Sequence, residues 1–85
     1  MKVRFTKHAQ DKFILLERHG VLVTEAQVLT VLQNPDMLDS ESRAPLIVAQ
    51  GPFDERRVLR VVYRVEYATM VVVTFYPGRR SQYES

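Results

Sequence analysis

Apolar side chains in the first part of the chain recur at helical spacing. Ala9, Phe13 and Leu16 stand three or four positions apart within residues 7–19, which predicts a helix with one apolar stripe. Thr6 precedes this run, and a threonine side chain can accept a backbone N–H bond at a helix N-terminus. We therefore predict a first helix over residues 7–19 that begins directly after Thr6.

A second helix is predicted over residues 24–33. Thr24 is followed three positions later by Gln27, which matches a capping box, in which each residue of the pair bonds the backbone N–H of the other. The dipeptide Asn34-Pro35 ends the helical pattern, because the residue before a proline is biased away from helical backbone angles.

After Pro35 the apolar residues alternate or run continuously, which is typical of strands. Residues 51–55 include Gly, Pro and Asp and predict a turn between two strands. Residues 66–69 lack the Asn-Gly or Asp-Gly pair of a tight hairpin, so a longer loop is expected there. The predicted strands are 3–5, 46–49, 58–65 and 70–76, and a further short strand at 37–40 is compatible with the pattern.

The order of these elements predicts the architecture. Two helices followed by consecutive hairpins favour an α+β domain, with the helices on one face of an antiparallel sheet of about four strands. At 85 residues the chain has room for one domain, which we assign to residues 1–85. With 46% hydrophobic and 26% charged residues, a packed core is expected rather than a disordered chain.

The composition also excludes several classes of site. The chain contains no cysteine, which removes disulfides, thiolate metal sites and cysteine nucleophiles. His8 and His19 stand three turns apart on the predicted first helix, so they cannot share a metal ion within one chain and no metal is expected. Without a glycine-rich phosphate loop, no cofactor is expected. Because no apolar run reaches signal-peptide or membrane-span length, a cytoplasmic location without membrane contact is predicted.

Positive charge is concentrated in the second half of the chain. The net charge is +2, but residues 1–42 hold five basic and six acidic side chains, whereas residues 43–85 hold seven basic and four acidic ones. All seven basic residues of the second half are arginines, whose planar fork suits phosphate better than the ammonium of lysine does. This bias permits nucleic-acid binding by the sheet and the tail.

Alternation along the predicted strands places several of these residues on one sheet face. If the purely apolar face of each strand packs against the helices, Val71, Val73 and Phe75 point inward in the last strand. The opposite face of the sheet then carries a group of polar residues. Guanidiniums and an aromatic ring together can hold phosphates and stack a base of single-stranded RNA. The alternative is an ordinary solvated sheet face. The polar group consists of Arg60, Arg64, Thr74 and Tyr76.

His8 is a candidate general acid or base, because its unperturbed pKa lies near neutrality. On an ideal helix it shares one stripe with Lys12 and His19. The alternative is that His8 caps or packs at the start of the helix, while His19 beside Gly20 is explained by a favourable position near the helix C-terminus.

The tail Tyr76-Pro77-Gly78-Arg79-Arg80-Ser81-Gln82-Tyr83 follows a strongly β-forming run. A Pro-Gly turn there would present Arg79, Arg80 and Tyr83 next to the outer sheet face, as an extension of the polar group. The alternative is a charged chain terminus without a specific role.

Four segments of the chain form a combined pattern. They are Phe5-Thr6-Lys7-His8-Ala9, residues 24–35 with Val28 and the motif Asn34-Pro35-Asp36, Arg60-Val61-Val62-Tyr63, and Val72-Val73-Thr74-Phe75-Tyr76-Pro77. This pattern spans nearly the whole chain and resembles a family of short prokaryotic domains of unknown function that is related to the RelE/ParE/BrnT superfamily of toxins from toxin–antitoxin modules. The resemblance implies a RelE-like fold: a short strand, two helices, then an antiparallel sheet.

The resemblance also implies an activity. Members of the wider superfamily cut messenger RNA without a metal, usually on the ribosome, while the ParE branch poisons gyrase. Carried over to this chain, His8 matches the histidine of the early motif, and Lys12 stands where arginine is commoner, which weakens a bidentate phosphate clamp on the helix. The basic pair after Tyr76 is matched by Arg79 and Arg80.

Metal-free RNA cleavage needs a base, cations for the transition state and an acid. The resemblance therefore implies His8 as base or acid and Arg64 as a cationic clamp together with Arg60 or Arg79. It gives Tyr76 or Tyr83 the role of a weak acid or stacking platform. A single site of this kind requires His8, Arg64 and Tyr76 to meet at one place. The RNA-binding residues expected around it are Lys12, Arg60, Thr74, Arg79, Arg80 and Tyr83.

Two alternatives to a ribonuclease remain open at this point. One is a non-catalytic protein-binding module that docks an antitoxin, a gyrase subunit or a second copy of the chain through an exposed strand or helix face. The other is a nucleic-acid-binding domain that uses the same arginines without catalysis. The expected partners are accordingly RNA or the ribosome, an antitoxin protein and a second copy in a homodimer.

Overall fold

The computed structural model describes residues 1–84, and within them the fold consists of five strands and three helices. In chain order the elements are β1 (Lys2–Phe5), α1 (Lys7–Arg18), α2 (Glu25–Gln33), β2 (Met37–Asp39), β3 (Ile47–Pro52), β4 (Arg57–Glu66), β5 (Thr69–Arg79) and α3 (Arg80–Tyr83). None of the helices within residues 1–84 combines the length and the apolar character needed to cross a membrane.

The two long helices begin at the predicted caps. The Thr6 side chain accepts the backbone N–H of Ala9 at 3.2 Å. At the start of α2 the Gln27 N–H donates to the Thr24 hydroxyl at 3.1 Å, and the Thr24 N–H donates to the Gln27 side chain at 2.8 Å. Both caps satisfy N–H groups that a helix end would otherwise leave unpaired, so the sequence signals for these helix starts are confirmed.

The strands form one mixed sheet in the order β1-β5-β4-β3-β2. Strands β2 to β5 pair antiparallel, as predicted, whereas β1 pairs parallel to β5. The expectation of a purely antiparallel sheet of about four strands was therefore wrong in two respects. The short segment Met37–Asp39 forms one edge strand. At the other edge of the sheet, β1 pairs with β5, and the Thr6 N–H extends this pairing by donating to the Val72 carbonyl at 3.0 Å.

Helices α1 and α2 pack on the same face of the sheet, as predicted. α1 covers β5 and β1, while α2 covers β3 and β4. We call this the helix face, and the opposite one the outer face. Residues from all of these layers form one buried cluster, and the α+β class is therefore correct. The cluster comprises Ala9, Val23, Val28, Val31, Leu32, Ala49, Leu59, Val61, Tyr63, Val72 and Phe75.

A bulge in β5 changes which of its valines face the helices. Val62 pairs with Thr74 but Tyr63 pairs with Val72, so Val73 is an extra residue in β5. Residues on either side of a bulge lose strict alternation. Val72 consequently joins Phe75 on the helix face, and the predicted inward set of Val71, Val73 and Phe75 was wrong. Thr74 remains on the outer face.

The turn between β4 and β5 is shorter than predicted. Only Tyr67 and Ala68 connect the strands, with φ angles of 48° and 63°. Positive φ at both central residues is the geometry of a two-residue hairpin turn whose twist matches that of the strands. The expectation of a longer loop was wrong because the turn forms without the Asn or Gly residues that usually adopt it.

Candidate nucleic-acid interface

An open cleft of about 950 Å³ lies where β4 begins and β5 ends. We call it the arginine cleft. Four guanidinium groups and two carboxylates surround it, so positive charge predominates. It is lined by Asp54, Glu55, Arg56, Arg57, Arg79, Arg80 and Ser81.

Asp54 organises the turn on one side of the arginine cleft. Its carboxylate accepts the backbone N–H groups of Arg56 and Arg57 at 3.0 and 2.7 Å, and it holds the Arg57 guanidinium at 2.7 Å. The side-chain hydrogen bond from Arg57 is the main reason why the pKa of Asp54 is lowered. Arg57 also lies over the Phe53 ring, 5.0 Å from its centroid. Arg57 is therefore engaged in building the turn.

Arg80 fastens the tail to the same turn. Its backbone N–H donates to the Arg56 carbonyl at 2.8 Å, and its Nε donates to the Asp54 carbonyl at 3.0 Å. Its NH1 group pairs with Glu84 at 3.1 Å. Arg80 thus positions α3 against the β3–β4 turn, and its charge is partly neutralised.

Arg56 and Arg79 are the available cations of the arginine cleft. Both side chains are exposed, and within residues 1–84 neither guanidinium is held by an ion pair of the kind made by Arg57 and Arg80. Arg79 pairs directly across the hairpin with Arg57, so the two edges of the cleft are fixed by strand register. Two solvated guanidiniums on a rigid frame are suited to contact a phosphate backbone.

A second arrangement lies on the outer face, at Arg60. Arg60 Nε donates to the Tyr76 hydroxyl at 3.2 Å, and NH1 donates to Gln50 Oε1 at 2.5 Å. Gln50 is only 2% exposed, although it lies on a face that no long helix covers. The three residues stand in line across β3, β4 and β5. We call Gln50, Arg60 and Tyr76 the Arg60 platform, because Gln50 and Tyr76 hold the Arg60 guanidinium through two hydrogen bonds.

Arg64 is committed to a separate ion-pair group. Its Nε donates to Glu66 at 2.7 Å, and Arg4 from β1 approaches the same carboxylate at 3.7 Å. Four strand positions separate Arg64 from Arg60, which corresponds to about 13 Å along the strand. The structure therefore does not bring Arg64 together with Arg60 or Arg79 as the predicted clamp on one phosphate. Thr74 is half-buried on the outer face between these two groups.

His8 and Lys12 lie on the other side of the molecule. Ala9 packs in the core below α1, and His8 is exposed on the helix beside a small groove of about 350 Å³, which Lys12 also lines. The sheet separates this groove from Tyr76 and Arg64 on the outer face. The single site that would unite His8, Arg64 and Tyr76 is therefore not formed, because the apolar stripe of α1 turns toward the sheet and His8 away from it.

Asp39 on β2 stabilises the loop that follows it. Its carboxylate accepts the Ser42 hydroxyl and the backbone N–H groups of Ser42 and Glu41. The Ser42 side chain is the largest of these influences, followed by the two backbone bonds, and together they lower the pKa of Asp39 to about 2. Arg60 adds a smaller electrostatic contribution. The Asp39 carboxylate therefore anchors this turn.

Three residues of this interface were not predicted from the sequence: Gln50, Arg56 and Arg57. Gln50 stands at the end of an apolar run, and a polar residue inside a buried strand is a signal for a buried partner. Arg56 and Arg57 follow directly after the Asp54 turn, where their position opposite Arg79 depends on the hairpin register.

The interface is suited to binding by charge and stacking. It offers guanidinium groups for phosphates and aromatic rings for bases, while His8 and His19 both belong to the α1 segment on the opposite side. Comparison of the chain with protein-family models, with curated proteins and with solved structures finds no match.

Proposed function

We propose that the protein binds single-stranded RNA along the arginine cleft and the Arg60 platform. The observation that carries this proposal is the pair of exposed guanidiniums, Arg56 and Arg79, about 10 Å along the strands from the Arg60 guanidinium, which lies over the Tyr83 ring and donates to the Tyr76 hydroxyl. A phosphate backbone and an unpaired base are the two chemical groups that such a surface complements.

The spacing of the two parts fits one strand. The pair Arg57–Arg79 stands three positions along β4 from the pair Arg60–Tyr76, which is about 10 Å. Three is an odd number of positions, so alternation directs the two pairs to opposite faces of the sheet. One RNA strand reaches both by passing around the end of the sheet where the arginine cleft lies. Duplex bases are stacked and paired, so an unpaired strand is the form that offers a free base. The choice of RNA over DNA is supported by the resemblance to toxins that act on messenger RNA.

The double variant Arg56→Ala/Arg79→Ala tests this proposal. Both side chains are exposed, so the fold should be retained. We expect RNA affinity at low salt to fall about tenfold, and the slope of log K against log salt to become shallower by about 1.4, since each lost phosphate contact removes about 0.7. Fluorescence anisotropy with a labelled ten-nucleotide RNA, measured at several salt concentrations, gives both values.

The matched control removes two charges from the opposite side. In Lys12→Ala/Arg18→Ala both substitutions lie on α1, beside His8, and the net charge falls by the same amount. This variant should bind RNA with nearly the wild-type affinity and salt slope. A larger loss in the α1 variant than in the cleft variant would place the RNA on the helix layer and contradict the proposal.

The second candidate function is that of a RelE/BrnT-like toxin with a RelE-like fold. It is favoured by the order of elements, in which a short strand and two helices precede the paired strands β3 to β5, together with the sequence resemblance. In this form the protein acts as a metal-independent ribonuclease on messenger RNA at the ribosome. Its further partners are an antitoxin protein and a second copy of the chain.

Expression in bacteria tests the toxin candidate. If toxicity depends on RNA binding at the arginine cleft, wild type should arrest growth, the cleft variant Arg56→Ala/Arg79→Ala should relieve the arrest, and His8→Ala should not, because His8 lines a separate groove on α1. Growth curves after induction measure this, with immunoblots to equalise expression. Normal growth of the wild-type strain would remove the toxin candidate and leave the binding function standing.

A further inference from the structure

The tail folds back over the outer face and places Tyr83 on Arg60. The Tyr83 ring centroid lies 4.2 Å from the Arg60 guanidinium carbon, closer than the Tyr76 ring at 5.9 Å. The same ring rests against Gly78, where an added β-carbon would overlap it. Tyr83 therefore covers the Arg60 guanidinium on one side and is seated against Gly78.

Arg60 is a prepared stacking surface. Its Nε and NH1 groups are fixed in the plane by Tyr76 and by the buried Gln50. Flat guanidiniums stack on aromatic rings and on bases in the same manner. The ring of Tyr83 consequently occupies a position that suits a nucleobase.

Only one aromatic ring at a time can stack on the side of the Arg60 guanidinium that Tyr83 covers. Ring planes in contact are separated by about 3.5–4 Å, so a base inserted between Arg60 and Tyr83 would require about 7 Å. The observed distance is 4.2 Å. A base can therefore reach Arg60 only when Tyr83 has moved away.

The contacts that hold Tyr83 are weak enough to be exchanged. α3 has only four residues, and helices this short are marginal by themselves. The tail is fastened by two hydrogen bonds from Arg80 to the β3–β4 turn and by the pair of Arg80 with Glu84. The pair with Glu84 is partly exposed, and such pairs contribute little. Arg80 also lines the arginine cleft, so a phosphate bound there competes with Glu84 for it.

We propose that the exposed face of Arg60 is a site for one unpaired nucleobase, which Tyr83 occupies in the free protein and vacates when a base binds. This inference rests on the proposed RNA-binding function and deepens it. In this inference the base displaces Tyr83 from Arg60, whereas the sequence predicted that Tyr83 itself contacts RNA.

Two variants open the site in different ways. Tyr83→Ala removes the ring, and Gly78→Ala pushes it aside, since the backbone of Gly78 does not require glycine. Because the base no longer competes with the tyrosine stack, both variants should bind a ten-nucleotide RNA about five- to tenfold more tightly than wild type. Tyr83→Phe keeps the ring and should bind like wild type.

A probe that carries phosphates but no bases distinguishes the contribution of base binding from that of phosphate binding. Inorganic polyphosphate carries the negative charge without rings, so Tyr83→Ala should leave its affinity unchanged. In addition, 3-fluorotyrosine labelling followed by ¹⁹F NMR should show the Tyr83 resonance move on RNA addition. Comparison with the spectrum of Tyr83→Phe assigns that resonance.

The direction in which each variant changes RNA affinity tests the inference. If Tyr83→Ala and Gly78→Ala bind RNA more weakly than wild type, Tyr83 is part of the contact surface and the inference is overturned. The RNA-binding proposal then still stands, provided that binding depends on Arg56 and Arg79. If wild type and all variants fail to bind RNA, the RNA-binding proposal itself fails and the inference fails with it.

Discussion

Replacement of Phe75 by alanine is expected to lower the free energy of unfolding by about 3–5 kcal/mol. Phe75 is fully buried in β5, and its ring centroid lies 4.5 Å from that of Phe13 on α1. Truncation removes apolar contact and leaves a cavity between sheet and helix that the rigid strand cannot close. In a domain of this size such a loss is a large part of the total stability.

Urea denaturation followed by far-UV circular dichroism measures this effect. The matched control is Tyr67→Ala, which also deletes an aromatic ring but at a fully exposed position in the β4–β5 turn. The control should change the free energy of unfolding by no more than about 0.5 kcal/mol. A loss below about 1 kcal/mol for Phe75→Ala would contradict the burial of this ring between the layers.

The helices were predictable because their signals are local. Thr6 and Thr24 lie within three positions of the N–H groups that they accept. The apolar stripe through Ala9 and Phe13 also indicates correctly which side of α1 faces the sheet. Each of these features depends on residues within one or two helical turns, which is the range that a linear pattern can report.

The sheet was less predictable because its details depend on distant pairings. The run Val71-Val72-Val73 is uniformly apolar, so nothing in it marks the bulge that turns Val72 toward the helices. The parallel pairing of Phe5 with Val72 joins residues 67 positions apart. The pattern of residues along the chain does not indicate which distant strand a residue will pair with.

The candidate interface likewise has a part that the sequence predicts and a part that it does not. Alternation alone placed Arg60 and Tyr76 on one outer face, and the structure has them there in direct register. The arginine cleft was not predictable, since the approach of Arg56 to Arg79 follows from the hairpin register and from the fastening of the tail by Arg80. The fold of the tail over Arg60 likewise depends on long-range contacts.

Arg60→Ala is expected to combine a loss of stability with a loss of RNA binding. The buried Gln50 carbonyl would lose its 2.5 Å partner, and an unpaired buried acceptor costs about 1–3 kcal/mol. The arginine stem, its hydrogen bond to the Tyr76 hydroxyl and its stacking on Tyr83 would be lost as well. We therefore expect a decrease of about 2–3 kcal/mol in the free energy of unfolding, measured by urea denaturation, and RNA affinity reduced at least tenfold.

The double variant Gln50→Leu/Arg60→Leu separates the two effects. It removes both members of the buried hydrogen bond and fills their space with apolar groups, which is often nearly neutral for stability. We expect its free energy of unfolding to recover to within about 1 kcal/mol of wild type, while RNA affinity stays as low as in Arg60→Ala. If the double variant regained RNA affinity along with stability, Arg60 would be a structural residue, since a leucine can neither pair with phosphate nor offer a planar guanidinium to a base.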